Sequence, residues 1–267
     1  MADDRREITL ITGASEGIGR ELARVFAAHG HDLALVARSR GRLEELAEEL
    51  RRRGGPRVHV LPHDLLDPQA PFEIAQELDE RRFDVSILVN NAGVMDVGRF
   101  HELSEATILG EVQLNAVAPT ALCHRFLPGM VARDRGRILN VASTAAFQAM
   151  PSLSTYAATK AYLLMLSEGL AEELAGTGVS VTVLAPGPVK TNLLAGARQA
   201  SKTIARLLPE SLANDPATVA QEGFDACMAG EAVRIPGLGN RVTATIADIV
   251  PRSIVRRFAG IVGRRLV

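Results

Sequence analysis

The sequence predicts an α/β fold: a single doubly wound parallel sheet of about seven strands, with helices on both faces. Three observations predict it. Short apolar runs are uniformly apolar rather than alternating, which suits strands covered on both faces. Longer stretches with helical periodicity separate them, as βαβ units require. A glycine-rich turn follows the first run directly.

The elements follow in order along the chain. Residues 8–12 are the first strand, and a helix follows over 17–29 with Ile18, Leu22, Val25 and Phe26 on one face. Residues 32–37 are the second strand. A charged amphipathic helix over 43–53 is stopped by Gly54, Gly55 and Pro56. Runs at 58–61, 86–90, 137–141 and 179–184 complete the buried strands, separated by helices near 71–80, 105–131 and 155–175. No linker or repeat interrupts the series, which ends near residue 230. Residues 1–250 are expected to form one domain, and 251–267 a basic amphipathic helical extension at the C-terminus.

Composition excludes several classes. The chain has 267 residues, 47% hydrophobic and 23% charged, with net charge −1, too apolar and too evenly charged for disorder. Trp is absent and Tyr occurs twice, so a base-stacking platform is not expected. The arginines spread over several helices rather than one stripe, and no nucleic-acid partner is expected. Residues 1–7 lack the apolar run of a signal peptide, and no stretch of about 18 residues is uniformly apolar. Cys123 and Cys227 lie far apart and read as buried, reduced thiols, consistent with a cytoplasmic protein. His59 and His63 flank Pro62 in a strand-like run, so no metal site is expected. No nucleophile elbow, P-loop lysine motif or CxxC pair occurs.

The near-zero charge hides an asymmetry. Residues 252–267 hold five arginines and no acid, leaving 25 basic and 31 acidic groups elsewhere. Wound as a helix, the tail gathers Ile254, Val255, Phe258, Ile261, Val262 and Leu266 within about 140°. Such a helix can dock on its own domain, on the substrate cleft or on another subunit, and that reading is preferred. Peripheral contact with an anionic membrane is the second reading.

Thr12-Gly13-Ala14-Ser15-Glu16-Gly17-Ile18-Gly19 joins the first strand to the first helix. Glycines there let the backbone turn and approach a pyrophosphate, whose charge rests on the helix N-terminus, as in Rossmann-type domains. The second strand ends Val36-Ala37-Arg38 with no acid to hold a ribose 2′-hydroxyl. Arg38 instead suits the 2′-phosphate of NADP, a contact giving about a 10- to 150-fold preference. NADP(H) is the expected cofactor, ahead of NAD(H).

Tyr156-Ala157-Ala158-Thr159-Lys160 sets a phenol and an ammonium four residues apart on one helix face. With two Tyr and three Lys in the chain, chance yields roughly 0.02 such pairs. An ammonium about 4 Å from the phenol would lower its pKa by up to about 3 units. Tyr156 could then exchange a proton with a carbonyl oxygen. Ser143 closes the fifth strand, where doubly wound sheets bind ligands. Asn115 lies inside an apolar helical stretch, where its amide needs a partner; taken alone, local backbone would satisfy it.

These residues, with Asp64-Leu65, Asn90-Asn91-Ala92-Gly93 and Pro186-Gly187-Pro188-Val189-Lys190-Thr191, recur in the order found in the short-chain dehydrogenase/reductase family. The chain resembles that family over about residues 7–200. The resemblance implies a tetrad of Asn115, Ser143, Tyr156 and Lys160. Tyr156 would be the acid, Ser143 would orient the carbonyl, Lys160 would also hold the nicotinamide ribose, and Asn115 would anchor a water in a proton relay. It implies cofactor contacts from Gly13, Ser15, Glu16, Gly17, Ile18, Gly19, Arg38, Asp64, Leu65, Asn91, Ala92, Gly93, Tyr156, Lys160, Pro186, Gly187, Val189 and Thr191. Asp64 would meet the adenine, Asn91 the region beside its ribose, and Val189 and Thr191 the carboxamide. A homodimer or homotetramer is implied as well.

Three departures stand out. Glu16 occupies a position that is basic in many NADP-preferring members, and Ala142 replaces a frequent non-catalytic Ser. Val233-Arg234-Ile235-Pro236-Gly237 stands where ketoacyl reductases of fatty-acid synthesis carry a glycine-rich final strand. This ending is closer to uncharacterised bacterial reductases and to membrane-linked ketoacyl-CoA and hydroxysteroid enzymes.

The expected function is NADPH-dependent interconversion of a carbonyl and a secondary alcohol. Val94, Met95, Ala145, Phe147 and Leu193 are the candidate substrate contacts. Gln148 is the lone uncharged polar side chain there beyond Ser and Thr, so a hydrophobic ketone or aldehyde is expected. The alternatives are an NADP-linked epimerase or dehydratase, which usually needs a longer chain, and a nucleotide-binding regulatory protein without turnover.

Overall fold

Strands that are apolar on both faces can be buried only between two helical layers. The computed structural model, which describes residues 5–52, 54–207 and 209–250, has that arrangement. The first half runs β1 Arg6–Thr12, α1 Gly17–Ala28, β2 Leu33–Val36, α2 Arg40–Arg52, β3 Val58–Leu61, α3 Ala70–Glu80 and β4 Phe83–Asn90. Next come α4 Glu105–Val112, α5 Ala118–Ala132, β5 Gly136–Val141, α6 Ser154–Glu173 and β6 Val179–Leu184. The last described part holds α7 Asn192–Ala200, α8 Lys202–Leu207, α9 Pro216–Ala229, β7 Val233–Arg234 and α10 Leu238–Ile249. The seven strands are parallel, in the order β3-β2-β1-β4-β5-β6-β7.

Side chains alternate across each strand, and the two sets enter different cores. Ile11, Leu33, Leu35, Val89 and Leu139 pack with Leu22, Phe26, Leu43, Leu46 and Phe224 of α1, α2 and α9. Leu10, Ala34, Val36, Leu88 and Ile138 pack with Ile74, Leu78, Leu122 and Met130 of α3 and α5. Each fully buried side chain of this kind contributes about 1.5–3 kcal/mol. Phe26 meets Phe224 edge to face at 4.9 Å, tying α1 to α9. Both cysteines are buried free thiols.

One polar ladder crosses the second core. Asn90 and Asn140 stand side by side on β4 and β5. Asn90 Nδ2 donates to Asn140 Oδ1 at 2.9 Å, and Asn140 Nδ2 donates to Ser167 Oγ of α6 at 2.9 Å. Both asparagines sit at the sheet end that opens toward the site, so the ladder fixes α6 against the strand ends.

Four expectations are corrected. Residues 105–131 are not one α-helix: a π turn at Gln113–Val117 separates α4 from α5. Pro119 has no N–H for the Asn115 carbonyl four residues back. Ala118 N–H bonds instead to the Gln113 carbonyl, five back. The sheet also continues past residue 230, through the short β7. Between β6 and β7 the chain forms α7, α8 and α9, which the periodicity did not predict. Finally, β4 begins at Phe83, where the ring covers the Arg6 guanidinium at 4.8 Å and lengthens the pairing with β1. Among the described residues no helix is long and apolar enough to cross a membrane. The extension expected at 251–267 lies outside the described residues.

Asn140→Ala removes the acceptor of Asn90 and the donor to Ser167. It is expected to lower unfolding free energy by about 2–3 kcal/mol, read as a lower urea midpoint at unchanged m-value.

Candidate functional site

In the strand order, chain connections lead away from β1 on one side and from β4 on the other, so a crevice opens at their carboxyl ends. A cleft of about 440 Å³ occupies it, running from Arg38 and Asp64 past the glycine-rich turn to Ser143, Tyr156 and Leu193.

The middle of the cleft is built by Thr12–Gly19. Gly13 has φ +65°, a left-handed conformation that admits the sharp turn out of β1. Gly19 is demanded by closeness: a Cβ there would lie 2.3 Å from both Asn91 Nδ2 and Gly13 O. Asn91 Nδ2 donates to Thr12 O at 3.0 Å and Gly13 O at 3.2 Å, and the Asn91 and Ala92 N–H groups bond to Thr12 Oγ1. Asn91 therefore stitches the turn to the end of β4. Helix α1 begins here without a side-chain cap, since Glu16 at its N-cap makes none. The dipole and first-turn N–H groups of α1 face the cleft, a setting that favours an anion.

At one end Arg38, Asp64 and Leu65 line the cleft, and so does Arg42, one helical turn beyond Arg38. Glu16 Oε2 accepts from Arg42 Nη1 at 2.9 Å and from Asn192 Nδ2 of α7 at 2.8 Å. The acid that departs from the basic pattern is thus paired, and Arg38 lies beside that pair on the cleft wall.

At the other end α6 supplies Tyr156 and Lys160, and Ser143 lies two residues beyond the end of β5. Tyr156 is 7% exposed and Lys160 4%. Lys160 Nζ donates to Val141 O at 2.9 Å and stands 5.8 Å from the Tyr156 ring centroid. The expected depression of the phenol by the Lys160 ammonium does not appear, and the phenol is shifted up instead. Burial raises the Tyr156 pKa, the Ser143 hydroxyl opposes this, and the Glu111 charge adds to it. Burial also lowers the Lys160 ammonium to about 8, against the pull of Glu111. The phenol here is a protonated group. Pro186, Gly187, Val189 and Thr191 form the facing wall, and Thr191 caps α7 through Leu194 N–H.

Asn115 lies in the π turn behind the cleft wall. Its Oδ1 accepts from Val94 N–H at 2.9 Å, and its Nδ2 donates to Val94 O at 2.9 Å and Thr159 Oγ1 at 3.2 Å. Its partner is thus distant backbone rather than local. Val94, Met95, Ala145 and Leu193 line the cleft, together with Gln148, Met150, Leu153 and Leu194. Phe147 does not: it packs against Ala142, Leu164 and Val183, because the short 3₁₀ turn Thr144–Phe147 rotates it toward the core. Ser15, Gly17, Ile18 and Gly93 line the cleft as expected, whereas Gly19 lies beneath the turn.

Two residues escaped the sequence reading. Arg42 carried a signal, as the third arginine of the run Arg38-Ser39-Arg40-Gly41-Arg42. Glu111 carried a weaker one, as an acid one turn before Asn115. Glu111 is 1% exposed, and its Oε1 accepts from Asp96 N–H at 3.1 Å. Burial pushes its carboxyl up to about 7.

The sequence matches the family model described as short chain dehydrogenase over residues 7–202. It is 32% identical to the ketoacyl reductase HetN of Nostoc sp., over 77% of this chain and 72% of that protein. Among solved structures it is similar to a short-chain dehydrogenase from Sphingobium yanoikuyae in complex with NADPH. That likeness has a TM-score of 0.78 and 33% identity, covering 93% of this chain and 97% of the other. It is also similar to a short chain dehydrogenase/reductase from Burkholderia phymatum in complex with NAD, with a TM-score of 0.80 and 25% identity over 92% and 94% of the two chains.

Gly19→Ala is expected to force the glycine turn away from Asn91, because the obstructing atoms include backbone. A loss of about 1–3 kcal/mol, read as a lower melting temperature, is the expected result.

Proposed function

This chain belongs to the short-chain dehydrogenase/reductase family of oxidoreductases, and from that premise we propose that it interconverts a hydrophobic ketone or aldehyde and its alcohol with NADP(H). The observation that carries this reading is one cleft with two chemically distinct ends. An uncapped helix N-terminus and Arg38 suit a phosphorylated dinucleotide, and Ser143, Tyr156 and Lys160 suit proton exchange at a carbonyl. The residues fit the nucleotide also in what they lack, for side chains at Gly13 and Gly19 would fill the cradle or displace Asn91.

A bound nicotinamide nucleotide supplies the hydride. Tyr156, protonated, donates its proton to the substrate oxygen, and in the reverse direction accepts it. Ser143 donates a hydrogen bond to the same oxygen and holds it against the phenol. Lys160, buried one helical turn after Tyr156, would hold the ribose hydroxyls of the nucleotide. Asn115 fixes the backbone of Val94 and so the wall beside the reacting carbonyl, and anchors the water of the relay.

NADP(H) is preferred over NAD(H) in this reading because Arg38 lines the cleft just past the end of β2, where no acid stands to hold a ribose 2′-hydroxyl. The pairing of Glu16 with Arg42 limits the repulsion of the 2′-phosphate. The apolar lining formed by Val94, Met95, Ala145, Met150 and Leu193 supports an uncharged substrate, and the ketoacyl activity in the name of the Nostoc relative supports a ketone. In this reading residues 1–250 are the catalytic domain, and the basic 251–267 extension docks on that domain or a second subunit. The protein works in the cytoplasm as a homodimer or homotetramer. Val117, Tyr162 and Met165, exposed apolar side chains on or beside α5 and α6, suit a subunit contact.

Two experiments test the reading. Tyr156→Phe is expected to lower kcat for ketone reduction by about 10²–10⁴-fold with little change in nucleotide affinity; a mutant as fast as wild type removes Tyr156 from the chemistry. In parallel, kcat/KM with NADPH should exceed that with NADH by about 10- to 150-fold, and Arg38→Ala should abolish the difference. Equal use of both nucleotides by wild type refutes the NADP assignment.

A further inference from the structure

Glu111 is the buried acid that the chemistry above leaves unused. It lies on α4 one turn before Asn115, and both side chains reach the same segment of the chain. Asn115 binds the N–H and C=O of Val94, while Glu111 Oε1 takes the N–H of Asp96. The two anchors bracket Met95, so the cleft wall at 94–95 hangs from a single helical stretch.

A neutral acceptor would satisfy Asp96 N–H equally well. The charge has another correspondent. Lys160 is almost wholly buried, and its hydrogen bond goes to the neutral carbonyl of Val141. Asn115 Oδ1 and Lys160 Nζ both border the Gly93 backbone, so the anchored stretch runs up to the ammonium. We propose that Glu111 is a positioning residue with two parts: it holds the 94–96 segment in place and provides the counter-charge for the Lys160 ammonium. The inference rests on the reductase reading above.

The groups facing Glu111 pull its pKa in both directions, with burial the largest. Burial and the Asp96 charge raise its pKa, while the Asp96 N–H and Lys160 lower it, leaving it at about 7. Above that pH Glu111 is charged, and its charge raises both Lys160 and Tyr156. Removing it lets both lose their protons at lower pH. Ketone reduction needs the protonated phenol, so the basic limb of its pH profile must move toward acid.

The test records kcat/KM for ketone reduction by NADPH on the full chain, from about pH 6 to about pH 10. Glu111→Gln retains an acceptor for Asp96 N–H and removes the charge. Its basic limb is expected about one pH unit lower, with substrate KM near neutrality within about threefold of wild type. Glu111→Ala loses both parts and should raise KM further, whereas Glu111→Asp should bring the limb back toward wild type. A Gln profile superimposed on that of wild type overturns the proposal, as does an Asp variant that behaves like Gln. Should Glu111→Gln not fold, Glu111→Asp replaces it, keeping the charge but shortening the reach to Asp96 N–H: a raised substrate KM with the basic limb near that of wild type supports the proposal, and an unchanged KM or a limb about one pH unit lower overturns it. Absence of wild-type turnover across a panel of hydrophobic ketones overturns the reductase reading instead, and tyrosinate absorbance titrations of wild type and Glu111→Gln then decide: a lower phenol pKa in the variant supports the role of Glu111, and superimposed titrations overturn it.

Discussion

A buried ammonium constrains this end of the molecule more than any other group. Lys160 has lost nearly all its water, and an unpartnered charge in that position would destabilise the fold by several kcal/mol. Its surroundings supply what water no longer can. The last carbonyl of β5 accepts a hydrogen bond from it, and the buried Glu111 carboxyl raises its pKa against the effect of burial. The bond to Val141 fixes the height of α6 along the sheet, and the bond from Asn115 to Thr159 ties α6 to the α4–α5 stretch. Tyr156 and Thr159 then follow from the helix itself, the one toward the cleft and the other toward Asn115.

Sheet polarity does the same for the opposite end. Parallel strands all finish on one side, and the reversal of direction between β1 and β4 leaves a crevice that helices cannot cover. Helix α1 starts in that crevice with no side chain spanning its first turn. The side chain at its N-cap is committed elsewhere, Glu16 being held by Arg42 and Asn192, while Thr12 Oγ1 holds the neighbouring backbone of Asn91 and Ala92. An open helix end and a paired acid at its rim are therefore products of the same local hydrogen bonding.

The sheet was legible in the sequence because fully buried strands leave uniform apolar runs, and β3 and β6 match their expected limits to the residue. The two-residue β7 and the helices Asn192–Ala200 and Pro216–Ala229 were not, since the first two are short and the last has a weak periodicity beside that of α1 or α2. At the site, Gly13, Arg38, Ser143, Tyr156 and Lys160 could be named because each belongs to a short local pattern, and these residues line one cleft. Glu111 could not, because its significance comes from Asp96 and Lys160, partners brought to it only by folding. Phe147 was misassigned for a related reason: proximity in sequence to Ser143 says nothing of which way a 3₁₀ turn faces. The sign of the Tyr156 shift was misjudged because helical spacing gives the neighbour but not the direction of its ammonium.

The π turn at Gln113–Val117 sets a rule about chain length. A π turn is an α-helix carrying one surplus residue, and here Pro119 keeps the surplus from being absorbed into α5. Deleting one residue from 113–117 would restore a regular helix, but each residue removed turns everything before it by about 100°. Glu111 would then swing off the backbone it holds while Asn115 or its replacement stayed in place. This stretch must therefore keep its residue count, whereas the exposed connections elsewhere are free to lengthen or shorten. Along α4 and α5 the number of residues is as much a part of the site as their identity.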